Sequence, residues 1–306
     1  MTTIHLTRAL RQRGFSPDEL GRLVRTGELT RVRRGAYAPP GPAPDSASLE
    51  PLARHLRLLA ATVPQLSPEA VVSHVSAAVL HELPVWPAAL ERVHLTRDRS
   101  GGGRTRRYVQ LHGCPLAPED VVSVAGFQVT SLARTVLDLG CWLSLDQAVA
   151  AGDAALRRGL DCDQLTELVG RCGPRRGVGA ARRTLALLDA RSESPEESRS
   201  RVLLHLHGVP APVLQFVVRD EAGRFVARCD FGWPELRTVG EFDGRVKYGR
   251  LLRPDQQPGE VVHEEKLRED AVRDLDWQMV RWTTADLTDV PALAARLERA
   301  FRRGRR

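Results

Sequence analysis

Lysine is almost absent from this chain of 306 residues. Of 45 Lys and Arg residues only Lys247 and Lys266 are lysines. So strong a bias toward arginine reads as a GC-rich coding sequence, and it makes each surviving lysine worth attention. Cysteine is scarce and odd in number, at five (Cys114, Cys141, Cys162, Cys172 and Cys229), with no C-x-x-C pair. Neither a disulfide framework nor a cysteine zinc site is indicated, and a reducing, cytoplasmic setting is expected. Long apolar runs are missing as well. The most apolar-leaning stretch, 71–80, is interrupted by Ser and His and is too short to cross a bilayer, so no membrane partner is expected. The first residues lack the apolar core of a signal peptide. The nine histidines form no H-E-x-x-H motif, and His74 reads as a packed or capping residue.

What is present is ordinary globular material: 42 % hydrophobic and 27 % charged residues, which excludes disorder and collagen-like repeats. The formal charge of +7 suits a polyanionic partner such as DNA, although dispersed arginine alone produces the same number. The length predicts an α+β multidomain protein, with divisions at 1–40, 50–190 and 192–306. In the first part, 6–13 and 20–25 read as short helices. Ser16-Pro17-Asp18-Glu19 forms a capping box ahead of the second helix, and 29–37 alternates and turns at Gly35 as a hairpin. Helix, turn, helix, hairpin outlines a winged helix-turn-helix. A Pro/Ser-rich linker (39–48) leads to a mixed α/β middle region. The last part opens on Ser194-Pro195-Glu196-Glu197, read as a second capping box, and runs α-β-β-β-α-β-α.

The chemistry concentrates in that last part. Strands at 225–233 and 238–243 predict a hairpin around Pro234-Glu235-Leu236-Arg237 that sets Asp230 opposite Glu241 and Arg228 opposite Asp243. Directly opposed side chains lie about 4.5–5.5 Å apart at Cβ, so two carboxylates there repel unless a cation joins them or one is protonated. Phe225, Ala227, Cys229, Phe231 and Trp233, with Phe242, mark one face as core and leave Asp230, Glu241 and Asp243 on the open one. Such acids suit Mg²⁺ or Mn²⁺, which can polarise a phosphate and activate water. Lys247 and Lys266 flank the acids and would steady a phosphate. Simpler readings compete: a surface acidic pair, an Arg228–Asp243 salt bridge, and capping by Glu197.

These residues resemble the PD-(D/E)XK nuclease superfamily, and more closely its very-short-patch-repair (Vsr) endonuclease-like branch. The matching stretches are 192–198, Gln215, 228–234, 241–248, 265–270 and 280–282. The resemblance implies a restriction-endonuclease-like α-β-β-β-α-β core and metal-dependent phosphodiester cleavage. Asp230, Glu241 and Asp243 would be the metal ligands, with Glu197, Lys247 or Lys266 assisting. Asp243 stands where the superfamily has Lys, and Lys247 where many Vsr-like relatives have His. The front of the chain resembles the AbiEi-type antitoxin family over 20–39, Ser73-His74-Val75-Ser76-Ala77-Ala78, Val129-Thr130-Ser131 and 134–139. That resemblance implies a winged helix touching DNA through Arg22 and Arg25 on the second helix and Arg31, Arg33 and Arg34 in the wing. Two functions remain open: a Mg²⁺-dependent DNA endonuclease, or a DNA-binding regulator or antitoxin whose nuclease-like domain no longer cuts. A homodimer is compatible with either.

Overall fold

The computed structural model describes residues 3–41, 49–67, 69–244 and 258–305. It divides into two compact units: Met1–Leu143 with Gly159–Arg182, and Ser144–Arg158 with Arg183–Arg306. Each is a mixture of helices and sheet.

The first unit begins with β1 (His5–Leu6), α1 (Thr7–Gln12), α2 (Pro17–Arg25), β2 (Thr30–Arg33) and β3 (Ala36–Ala38). The capping box that the sequence suggests is present. Ser16 Oγ accepts from the Glu19 N–H at 3.1 Å, and the Glu19 carboxylate accepts from the Ser16 N–H at 3.2 Å. Gly35 turns the hairpin at φ 86°, a backbone that favours glycine. The three strands join as β1-β3-β2. The module is not freestanding. Val32 packs on the core around Leu58 and Leu59, and Arg33 reaches the Ala61 carbonyl of α3 (Glu50–Thr62).

That core belongs to a six-stranded sheet of β4 (Val71–Val72), β5 (Val93–Arg97), β6 (Arg104–Arg106), β7 (Val109–Gly113), β8 (Val121–Val124) and β9 (Phe127–Thr130), in the order β6-β7-β5-β4-β9-β8. The short strands β4, β6, β8 and β9 are not evident from alternation alone. α4 (His74–Leu80), α5 (Leu132–Trp142) and α7 (Cys162–Arg171) complete this unit.

α6 (Leu145–Arg157) belongs to the second unit. Its residues Ala148–Ala155 are all buried. It is tied to α9 (Pro195–Leu206) by Arg199–Asp146 at 2.9 Å and Arg201–Asp153 at 2.8 Å. α8 (Val178–Ala186) precedes α9. Then follow β10 (Val213–Arg219), β11 (Phe225–Trp233), β12 (Thr238–Phe242), α10 (Pro258–Arg273), β13 (Gln278–Trp282) and α11 (Val290–Gly304), the element order expected from the sequence. The sheet runs β10-β11-β12-β13, antiparallel except for the β12–β13 pair. The hairpin register agrees with the sequence reading: Phe231 pairs Gly240, Gly232 pairs Val239 and Trp233 pairs Thr238.

Both sides of this sheet are covered. Phe231, Trp233, Phe242, Val280 and Trp282 pack with Leu293, Leu297 and Phe301 of α11. Ala227, Cys229, Val218 and Val239 pack instead with Val272 of α10. The single apolar face expected for β11 is therefore corrected: alternate residues change cluster between Cys229 and Phe231. At the same level of β10, Gln215 holds φ 52° between the Leu214–Phe231 and Phe216–Cys229 pairs. Phe225, expected in the core, is 63 % exposed. Gly240 is the close-packed point. A Cβ there would lie 2.6 Å from the Trp282 ring, itself fully buried. Gly240→Ala is expected to cost about 1–3 kcal/mol by overpacking, read as a lower melting temperature.

Candidate functional site

Four of the five arginines assigned to DNA lie on the surface of the N-terminal module: Arg22, Arg25, Arg31 and Arg34. Arg22 pairs loosely with Glu28 at 3.4 Å, both side chains more than half exposed, a contact that phosphate can replace at little cost. Arg33 differs. Its guanidinium donates to the Ala61 carbonyl at 2.7 Å and the Arg34 carbonyl at 2.9 Å, and burial lowers its pKa from the ordinary value. It fastens the hairpin to α3 and is spent inside the unit.

In the second unit the acids meet protein partners. Glu241 is buried, not on an open face, because α10 lies over that side of the sheet. Arg268 of α10 reaches Glu241 Oε1 at 3.2 Å, and Arg281, its partner in the β12–β13 register, reaches Oε2 at 3.2 Å. Arg281 also contacts Glu269 at 3.3 Å. Asp230 Oδ2 accepts the Phe242 N–H at 2.8 Å, so a side chain carries the ladder on from β11 to β12. Asp243 is half-buried, and its own N–H donates to the Trp282 carbonyl at 2.7 Å. The alternative pairing of Asp243 with Arg228 does not form, since Arg228 makes a bidentate pair with Glu193 at 2.8 and 3.0 Å.

Glu197 is buried at the start of α9. Ser194 caps its N–H at 3.1 Å, but the Glu197 carboxylate does not close the expected box on Ser194. It accepts instead from the Glu193 N–H at 2.9 Å and the Gln215 amide at 3.0 Å. The left-handed backbone at Gln215 thus belongs to a residue whose amide reaches this acid. Burial and then the neighbouring Asp230 charge raise the Glu197 pKa above the ordinary carboxyl value. Lys266 is exposed on α10, and Lys247 lies outside the described residues. As for a metal, a magnesium ion on Glu241 would first have to displace Arg268 and Arg281. Among the described residues, no convergence of ligand atoms joins Asp230, Glu241 and Asp243 into one set.

A site that the sequence did not suggest lies in the first unit. His74 opens α4, His94 is on β5 and His112 on β7. Thr96 pairs His112 in the parallel β5–β7 ladder, so the strand period of two puts His94 on the same face, one diagonal away. His94 Nδ1 and His112 Nε2 are 3.1 Å apart, and the His74 and His112 rings stack at 3.6 Å. Trp142 stands edge-on to all three. Beneath His74 lies a buried ionic network. Arg134 binds Asp138 at 3.0 Å, Asp120 at 2.7 Å, the Pro115 carbonyl at 2.8 Å and Cys114 Sγ at 3.1 Å. His74 and His112 with Asp138, Cys114, Trp142 and Arg175 line a cavity of about 1080 Å³. The stretches 73–78 and 134–139, quoted above as separate motifs, meet here.

Comparison with known proteins covers the chain in part. The family model described as "Transcriptional regulator, AbiEi antitoxin" matches residues 6–40, which form an AbiEi-like regulator region at the N-terminus. Two uncharacterized proteins of Mycobacterium tuberculosis, MT2308 of strain CDC 1551 and Rv2248 of strain H37Rv, are each 32 % identical over 185 residues. Those residues are 60 % of this chain and 65 % of each relative. No helix among the described residues is long and apolar enough to cross a membrane.

Proposed function

We propose that the chain is a DNA-binding transcriptional regulator of the AbiEi antitoxin type, with residues 6–40 acting as a winged helix. The observation that carries this is the match of the regulator family to the module that exposes Arg22, Arg25, Arg31 and Arg34. Arginines on a second helix and on a hairpin suit phosphate contact on both sides of a groove, which positions the protein on a duplex. The Vsr-like C-terminal part acts, in this reading, as a stabilised scaffold. Glu241 is neutralised by two arginines rather than held open for a metal. The test is a gel shift of the full chain on the DNA upstream of its own reading frame, against random duplex of equal length. A specific complex is expected whose affinity falls steeply with salt. Equal binding to both duplexes would remove the regulator reading.

A second reading keeps the endonuclease, favoured by Glu197 and Asp230. These acids are close enough for the charge of Asp230 to raise the Glu197 pKa. A site for Mg²⁺ or Mn²⁺ would then centre on that pair. Supercoiled plasmid incubated with the full chain and either ion decides the matter: nicking lost in Asp230→Asn supports cleavage, and intact plasmid in both ions sinks it.

A further inference from the structure

We propose that His74, His94 and His112 form a binding site for a divalent transition-metal ion of the zinc class. One ligand nitrogen from each lies within 4.8 Å of the others, drawn from a helix start and two adjacent strands rather than from a local motif. Imidazole suits zinc, copper, iron and nickel and not magnesium, so the ion expected here is unlike the one an endonuclease would use. Three protein ligands also leave a coordination position open. The cavity beside His74 and His112 gives that position room for water or a small ligand.

Four further observations fit. First, the trio is held together by packing: the His74 and His112 rings stack at 3.6 Å, and Trp142 stands edge-on to all three. Second, His94 Nδ1 and His112 Nε2 face each other at 3.1 Å, two ring nitrogens already converging on one point. Third, His74 Nδ1 is 2.9 Å from Ser73 Oγ and 3.8 Å from Asp138 Oδ2, a buried oxygen without a hydrogen bond. A carboxylate behind the second ring nitrogen is the usual way a liganding histidine is oriented. Fourth, His74 holds φ 50°, a strained backbone for a residue with a side chain, at the head of a buried helix.

The experiment uses tag-free full chain stripped with chelator and titrated with Co²⁺ alone, then with Zn²⁺ in competition. One equivalent of Co²⁺ per chain should bind with a visible d–d spectrum, and Zn²⁺ should abolish it. His112 is half-buried, so His112→Gln is the variant that decides, with its metal-free melting curve as the check on folding. It should weaken binding by more than about 100-fold, beyond the about 10–100-fold expected of Asp138→Asn behind His74. No Co²⁺ spectrum in the wild-type chain would overturn the proposal. So would a spectrum unchanged in folded His112→Gln. Because the readout involves no DNA, failure here leaves the regulator reading untouched.

Discussion

Arg134→Ala is expected to lower the unfolding free energy of the first unit by about 3–5 kcal/mol. The arginine side chain is 3 % exposed and makes ion pairs with Asp120 and Asp138, which are 8 % and 4 % exposed. Burial works against its charge, but Asp138, Cys114 and Asp120 outweigh that and hold its pKa above the ordinary value. Alanine removes the guanidinium that two buried carboxylates share and leaves Asp138 with Arg175 at 4.0 Å. The cost is chiefly that of the stranded charges, not the net worth of the pairs. Arg134→Met combined with Asp120→Asn and Asp138→Asn should therefore lose much less than the sum of the single changes. Arg134→Lys should recover only part of the loss, since an ammonium cannot reach Asp120, Asp138, the Pro115 carbonyl and Cys114 together. Denaturant unfolding in chelator, which keeps any metal effect out of the comparison, measures each variant. A loss below about 1 kcal/mol for Arg134→Ala would show the network to be solvated, as exposed ion pairs are.

How far the site was legible in the sequence depends on how local its causes are. The capping box at Ser16 and Glu19, the Gly35 turn and the β11–β12 register are set by a few adjacent residues, and each reads directly from the chain. The tight turn Pro234–Leu236, closed by Arg237 in a left-handed conformation, fixes the Gly232–Val239 pairing. Long-range causes did not read. Glu241 looks solvent-facing from β12 alone, and only the docking of α10 and the parallel pairing with β13 bring Arg268 and Arg281 to it. Gln215 gives no sign in one dimension of its left-handed backbone. α6 was assigned to the middle region by position. Yet its run of Ala and Gly, with Asp146 and Asp153, packs against α9 and pairs with Arg199 and Arg201. The histidine trio was missed for the same reason. One is a helix start and two are strand residues, and no spacing rule links them. The available hint was His94 and His112, each a polar residue amid apolar neighbours on a strand, with His74 in a stretch quoted for its family likeness.

Replacing Arg22, Arg25, Arg31 and Arg34 together by alanine should abolish tight DNA binding while leaving the fold intact. All four are exposed, so their loss uncovers no buried partner. If each neutralises one phosphate, removing it lowers the magnitude of the salt slope by about 1. The log–log law then gives an affinity loss on the order of 10³-fold or more for four contacts at about 0.1 M salt. The slope is the informative quantity. Phosphate contacts reduce affinity and slope together on every duplex, whereas a base-reading arginine would reduce discrimination between upstream and random DNA at nearly constant slope. Arg33→Gln is the internal contrast. Because Arg33 is committed to the Ala61 and Arg34 carbonyls, its removal should lower the melting temperature and leave the salt slope close to that of the wild type. Fluorescence anisotropy of a labelled upstream duplex across a salt series measures all of these. A quadruple variant that keeps the wild-type slope would place the DNA-binding surface elsewhere on the chain. A slope reduced by Arg33→Gln as much as by any exposed arginine would show that the hairpin must stay fastened to α3 in order to bind.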